Sequence, residues 1–278
     1  MHARSALFDL YGDHLRDRGG RAPVATLVRA LAPLGIAPPA VRTAVSRMVR
    51  QGWLTPERLD LGPGYALTRR ARERLDEAAS RIYRTRGPSW GGAWDLLVLD
   101  PPPHRAARER VRGGLAFLGY AQLSESTWIG PTPSPEVDAL LAAEDSGYAR
   151  FSAQDADPVD RARSAWDLDR LGTSYDAWHR DARRLVADPE QSLGVPVPDD
   201  PDEQAFAVRS HLVHEWRKFL FSDPGLPAEL LPADWPGHDA ARFFDEEAER
   251  LLPAARRFVD ACLSPLPDPQ PTNGEPHE

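Results

Sequence analysis

Pro38-Pro39-Ala40-Val41-Arg42-Thr43-Ala44-Val45-Ser46-Arg47-Met48-Val49-Arg50, followed by Gln51-Gly52-Trp53, is the stretch on which the reading of this 278-residue chain turns. Proline is tolerated in the first turn of a helix and glycine closes one, so the spacing predicts a helix from Pro38 to about Gln51 with Gly52 as its cap. Val41, Val45, Met48 and Val49 recur at i, i+4, i+7 and i+8 and must face a core. Arg42, Thr43, Ser46, Arg47 and Arg50 fall on the opposite side. Arginine reads guanine with two parallel hydrogen bonds, and serine and threonine contact bases or phosphates. A rod that is apolar behind and hydrogen-bonding in front is what entry into the major groove of double-stranded DNA requires. A solvated amphipathic helix would carry the same residues, so its neighbours decide.

Working outward, residues 4–18 predict a helix with Leu7, Phe8, Tyr11 and Leu15 on one face, ended by Gly19-Gly20. A second helix starts near Pro23, carries Leu27, Leu31 and Leu34, and stops at Gly35. Beyond the quoted stretch, Trp53–Thr55 and Gly64–Leu67 read as two short strands joined by a Gly62-Pro63-Gly64 loop. A charged helix follows from about Thr68 to Tyr83. Three helices, a hairpin and a closing helix give the order of a winged helix-turn-helix over residues 1–88. Arg58 beside the wing loop, Arg69 and Arg70 after it, and Arg21 are candidates for phosphate or minor-groove contact, though an exposed arginine needs no partner.

The charge distribution agrees. The whole chain is acidic, with a formal net charge of −8, yet residues 1–90 hold 16 arginines against 8 acidic residues. The remainder holds 18 basic residues against 34 acidic ones. A basic head on an acidic body points to a polyanionic partner at one end only.

Past the glycine-rich segment around Gly87 and Gly91-Gly92, the periodicity changes. Trp94–Asp100 predicts a buried strand stopped by Pro101-Pro102-Pro103, followed by a helix over 104–119 with Ala107, Val111, Leu115 and Leu118 inward. A strand around Ala121–Ile129, a helix over 134–145 and a strand at Tyr148–Ser152 complete a β-α-β-α-β pattern. A ferredoxin-like α+β domain over 89–156 suits it. From Asp157 the chain reads as helical, interrupted by a Pro- and Asp-rich loop at 188–202. In the final helix Ala241, Phe244, Ala248, Leu251, Ala255, Phe258 and Cys262 alternate at three and four residues, and Pro253 is expected to kink or split it. The helical domain spans 157–263, and the proline-rich residues 264–278 predict a disordered tail. The expected fold class is therefore multidomain α+β. One cysteine excludes an internal disulfide and a cysteine-cluster zinc site. The absence of an apolar run near 18 residues excludes a membrane helix, so the expected compartment is the cytoplasm.

The segments Ser5–Asp13, Leu34-Gly35-Ile36, Val41–Arg47 and Gly52-Trp53-Leu54 resemble the PaaX family, repressors of phenylacetic acid degradation. The likeness continues at Trp166-Asp167-Leu168, Tyr175 and Trp178, and at His214–Phe219 with Asp223–Pro227. It extends to Leu230-Leu231-Pro232 and Trp235-Pro236-Gly237, thus covering about residues 5–260. The resemblance implies an N-terminal winged helix, a central Cas2-like domain and a helical C-terminal domain. It further implies a homodimer on a palindromic operator, released by phenylacetyl-coenzyme A or another acyl-coenzyme A effector. Such a ligand needs cations for its phosphates and aromatic walls for its rings. Arg183-Arg184, Arg217 and Lys218 are the candidate cations. Trp166, Tyr175, Trp178 and Trp216 are the candidate walls, with His214 or Glu215 as hydrogen-bonding groups. Tryptophans at helical spacing equally serve as core. His211 and His214 form an i, i+3 pair, but without HExxH or a nameable third ligand no metal is assigned. Nucleases of the Cas2 fold use an aspartate near the end of the first strand, where Asp100 stands. The prolines after it and the lack of an attached acidic cluster favour strand capping, and no catalytic residue, cofactor or membrane partner is expected.

Overall fold

The computed structural model describes residues 1–82, 89–100, 102 and 104–265. Helix α1 spans Ala3–Leu10 and continues without a break through a π turn at Tyr11–Leu15 and a 3-10 turn at Arg16–Arg18. The expected helix over 4–18 is thus one rod with three pitches. The wider π turn places Tyr11, His14 and Leu15 inside together. A short strand, β1 (Arg21–Pro23), precedes α2 (Val24–Leu31). A 3-10 turn at Ala32–Leu34 then ends on Gly35, whose φ of +69° belongs to the left-handed region that glycine alone adopts without cost. A Cβ there would also lie 2.6 Å from Val195. Helix α3 spans Pro38–Arg50, with both prolines in its first turn, where the missing N–H groups would have had no partner. Val41, Ala44, Val45 and Met48 are buried. Each of the larger side chains contributes roughly 1.5–3 kcal/mol by leaving water.

Strands β2 (Leu54–Leu59) and β3 (Gly62–Leu67) pair antiparallel, and β1 joins the other side of β3, giving the order β1-β3-β2. Here the structure corrects one expectation and adds one strand. Gly62, Pro63 and Gly64 are not the loop but the paired start of β3, opposite Leu59, Arg58 and Glu57, and the turn is Asp60-Leu61. Pro63 is tolerated because β1 reaches only Gly64–Ala66, so one edge of the strand is open at that residue. Strand β1 itself was not expected, since three residues carry no readable period. Helix α4 spans Arg69–Ile82 and is capped by Thr68, whose hydroxyl accepts from the Ala71 N–H at 3.2 Å and donates to the Gly52 carbonyl at 2.8 Å.

The central region holds β4 (Trp94–Leu99), α5 (Arg105–Phe117), β5 (Ala121–Gln122), β6 (Thr127–Gly130), α6 (Glu136–Ala143) and β7 (Tyr148–Ala153). The single strand expected over 121–129 is a hairpin, because residues 123–126 turn the chain, with the Leu123 N–H bonded to the Thr127 carbonyl. This correction completes the β-α-β-β-α-β sequence. The sheet order β5-β6-β4-β7, antiparallel throughout, is the ferredoxin-like arrangement. Leu97, Leu99 and Trp128 pack under Val111 and Leu115 of α5 and Val137 and Leu141 of α6.

The rest is helical: α7 (Pro158–Ala165), α8 (Leu168–Ala187), α9 (Pro189–Ser192), α10 (Pro201–Trp216) and α11 (Pro236–Leu263). Asp157 caps α7 by accepting from the Asp160 N–H. Helix α11 runs 28 residues as one element with Pro253 inside it, so of the expected kink or split the split does not occur. No described helix is long and apolar enough to cross a membrane. Tyr83, Gly87-Pro88, Pro101, Pro103 and the expected tail from residue 266 onward lie outside the described residues.

The chain forms two compact units, neither contiguous in sequence: residues 1–76, 189–211 and 249 onward make the first, and 77–188 with 212–248 the second. In the first unit, α2 holds the end of α11. The buried Thr26 hydroxyl donates to the Cys262 carbonyl at 2.9 Å, and the Arg29 guanidinium reaches the carbonyls of Ala261, Cys262 and Ser264. Arg209 of α10 grips Asp13 with two bonds of 2.7 and 2.8 Å. In the second unit, an aromatic cluster joins α8, α10, α11 and the intervening loop. Tyr175 stacks on Phe219 at 4.0 Å, and Trp216 stacks on Phe244 and meets Trp178, both at 4.7 Å.

Candidate functional sites

In the first unit, the outer side of α3 presents Arg42, Thr43, Ser46, Arg47 and Arg50, all exposed. The same helical period that buries Val41, Ala44, Val45 and Met48 forces these five outward. Among the described residues, Arg42, Arg47 and Arg50 have no ion pair, and their guanidinium donors face solvent. The Thr43 hydroxyl donates to the Pro39 carbonyl at 2.9 Å, so it offers its lone pairs and methyl group rather than its proton. Pro39 and Ala40 in the first turn are also exposed. Sequence reasoning passed over them because small apolar residues look neutral, yet they are the kind of surface that meets a thymine methyl.

The flanking arginines differ in how free they are. Arg58 on β2 is exposed and without an ion pair among the described residues. Arg21 lies across the same sheet and bonds Glu57 at 3.1 Å, while Arg69 bonds Glu73 at 2.8 Å across one turn of α4. Exposed pairs of this kind are worth under about 1 kcal/mol. Arg70 lies over the Trp53 ring at 5.8 Å.

The second unit contains a cavity of about 1050 Å³, walled chiefly by α8, α11 and residues 216–231. Of the candidate effector residues, it brings together Tyr175 and Trp216. Trp178 is buried behind Trp216 as core. Trp166 stacks instead against Trp94 at the start of the central sheet, 5.7 Å away. Arg183 is exposed on α8, and His214 and Arg217 are half-buried, none of them in the lining. The neighbouring cations are already paired: Arg184 lies 3.9 Å from Asp181, and Lys218 bonds Glu215 at 2.6 Å. Sequence reasoning missed Phe117, Phe219, Trp235 and Asp223, which come from three separate segments with no shared period. The Tyr175 hydroxyl donates to Asp223; burial, and then the negative charge beside it, drive that phenol well above its ordinary range.

The His211 ring nitrogen Nδ1 lies 3.0 Å from the Ala207 carbonyl. Among the described residues no three His, Cys, Asp or Glu side chains are grouped to hold a metal. Asp100 ties off β4 through its backbone, donating to the Gly147 carbonyl and accepting from the Ser146 hydroxyl.

Three family models match the chain in order. A PaaX-like protein model matches residues 2–71, the PaaX protein central Cas2-like domain matches 87–164, and the PaaX-like protein C-terminal domain matches 166–261. A curated relative, the transcriptional repressor PaaX of Escherichia coli strain K12, is 31% identical over 280 residues, covering 95% of this chain and 86% of the relative. Among solved structures, the uncharacterized protein Rv0674 from Mycobacterium tuberculosis superposes with a TM-score of 0.64 at 26% identity, covering 94% of this chain and 98% of that one.

Proposed function

The chain belongs to the PaaX-like protein family, and from that premise we propose that it is a DNA-binding transcriptional repressor that reads its operator with α3. In this reading, α2, the Gly35 turn and α3 form the helix-turn-helix, and β2 and β3 form the wing. Arg42, Ser46, Arg47 and Arg50 face base edges and phosphates, while Arg58, Arg21 and Arg69 reach the flanking backbone. Two copies bind a palindromic operator, as one copy presents a single reading helix. The genes controlled are those of an aromatic-acid catabolic operon of the phenylacetate type. A small molecule bound in the second unit lowers the affinity by favouring a state in which the two helices no longer match the half-sites. An acyl-coenzyme A is the effector that family resemblance suggests.

The observation that carries the reading is the exposed, unpaired guanidinium set on α3, supported by the identity to a named repressor. Selection of bound duplexes from a random pool is the test. The full chain should enrich an inverted repeat. Arg47→Ala should relax preference at one base pair in each half-site and weaken specific binding by about 1–3 kcal/mol. An equal loss on every sequence would make Arg47 a phosphate contact, and no enrichment at all would end the assignment.

A further inference from the structure

The outward face of α3 is not uniform along its length. Its later turns bring Ser46, Arg47 and Arg50 outward, whereas Pro39, Ala40 and Thr43, at i, i+1 and i+4, make an exposed patch without a charge. The backbone beneath that patch has nothing to donate either. Pro38 and Pro39 have no N–H. The N–H groups of Ala40 and Val41 both bond to the Ala37 carbonyl, at 2.9 and 3.2 Å.

Thr43 stands at the centre of the outward face, in line with Pro39 one turn before it and Arg50 two turns after it, with Arg42 to one side. Its hydroxyl donates to the Pro39 carbonyl at 2.9 Å, so the proton that would seek a base acceptor or a phosphate oxygen is already committed. Methyl and methylene surface is what this stretch turns toward a groove. A phosphate pressed against it would lose water without gaining a donor, and so would the acceptors on the edges of guanine, adenine and thymine. The apolar group that bases present in the major groove is the C5 methyl of thymine.

We propose that Thr43 is a specificity-determining residue that reads thymine through its methyl group, packed with Ala40 and Pro39 on thymine C5 methyls, while its hydroxyl takes no part. This rests on the repressor reading of α3 and deepens it. Arg47 stands seven residues beyond Ala40. That separation is about 10 Å along a helix axis, or about three base-pair steps. The selected half-site should accordingly hold a thymine about three base pairs from the pair whose preference Arg47→Ala relaxes.

Deoxyuridine differs from thymidine only in lacking that methyl, so it isolates the contact. In the duplex recovered by selection, each thymine is replaced in turn in both half-sites, and the full chain is titrated by fluorescence anisotropy. At one or more positions in each half-site, wild-type affinity should fall roughly fourfold for each methyl removed, the worth of one methyl-sized group leaving water. Thr43→Val keeps a methyl and loses the hydroxyl, and it should bind the thymine duplex as tightly as wild type does. Thr43→Ser keeps the hydroxyl and loses the methyl. It should bind the thymine duplex about as weakly as wild type binds the deoxyuridine duplex, and lose nothing more on the latter. Thr43 is exposed, so both variants should keep the wild-type thermal midpoint. An operator in which no deoxyuridine weakens binding overturns the proposal. So does a Thr43→Val variant that loses affinity for the thymine duplex, or a Thr43→Ser variant that still prefers thymine to deoxyuridine as wild type does. Failure of the selection to enrich any duplex strikes the repressor reading itself; an enriched duplex indifferent to deoxyuridine strikes this inference alone.

Discussion

Asp13 and Arg209 stand 196 positions apart and meet inside the first unit, each almost wholly buried. Burial by itself pushes the Asp13 carboxyl up, but His14 and Arg209 beside it prevail and hold it well below the usual carboxylate range. His14 Nε2 lies 3.2 Å from the same carboxylate. A carboxyl whose folded pKa is depressed adds stability above its unfolded value, near about 4, and loses it as pH falls further. Asp13→Asn should therefore cost on the order of 3–5 kcal/mol at pH 7, where it strands a buried guanidinium. The gap between wild type and variant should narrow as pH drops below about 4. Urea unfolding at pH 7 and pH 3 measures both, and an equal gap at the two would show the pair acts by packing alone. Nothing local in the sequence links the two residues. By contrast, the outward placement of Arg42, Arg47 and Arg50 was legible, because a 3.6-residue period fixes both faces of a helix together.

Helix α11 shows what a pattern tells and where it drifts. Strict three-four alternation averages 3.5 residues, whereas a straight helix turns every 3.6, so a stripe read from the middle walks sideways toward the ends. Phe244, Ala248, Leu251, Ala255 and Cys262 are buried as the pattern predicts, but Ala240 and Val259 replace Ala241 and Phe258. Pro253 is exposed within the same helix, where it removes a backbone donor. Pro253→Ala should accordingly raise stability by roughly 2 kcal/mol, the helix gain being partly offset by a freer unfolded chain. A fall in the urea midpoint would mean that the helix is shaped around the ring. Strand β1 and the 121–130 hairpin escaped detection for a related reason. A three-residue strand has no period, and a four-residue turn without glycine or proline carries no signal.

At the scale of the whole molecule, the charge asymmetry read from composition survives folding as an exposed basic face on α3. If about 6–10 phosphates are neutralised per dimer, operator affinity should fall roughly 10³–10⁵-fold between 50 and 200 mM salt. Filter binding across that range checks it, and a flat profile would remove the electrostatic basis of the DNA reading. The two units themselves were not legible, because periodicity is local and each unit is assembled from distant segments. That assembly has a consequence during synthesis. The carbonyls that Thr26 and Arg29 hold belong to Ala261, Cys262 and Ser264, the Thr26 partner being 236 positions downstream. At about 5–20 residues per second, the N-terminal segment waits roughly 10–50 s on the ribosome before its clasp can close. Messages cut short upstream of Cys262 would therefore yield fragments lacking that closure, ready for proteolysis rather than for competition with the intact regulator.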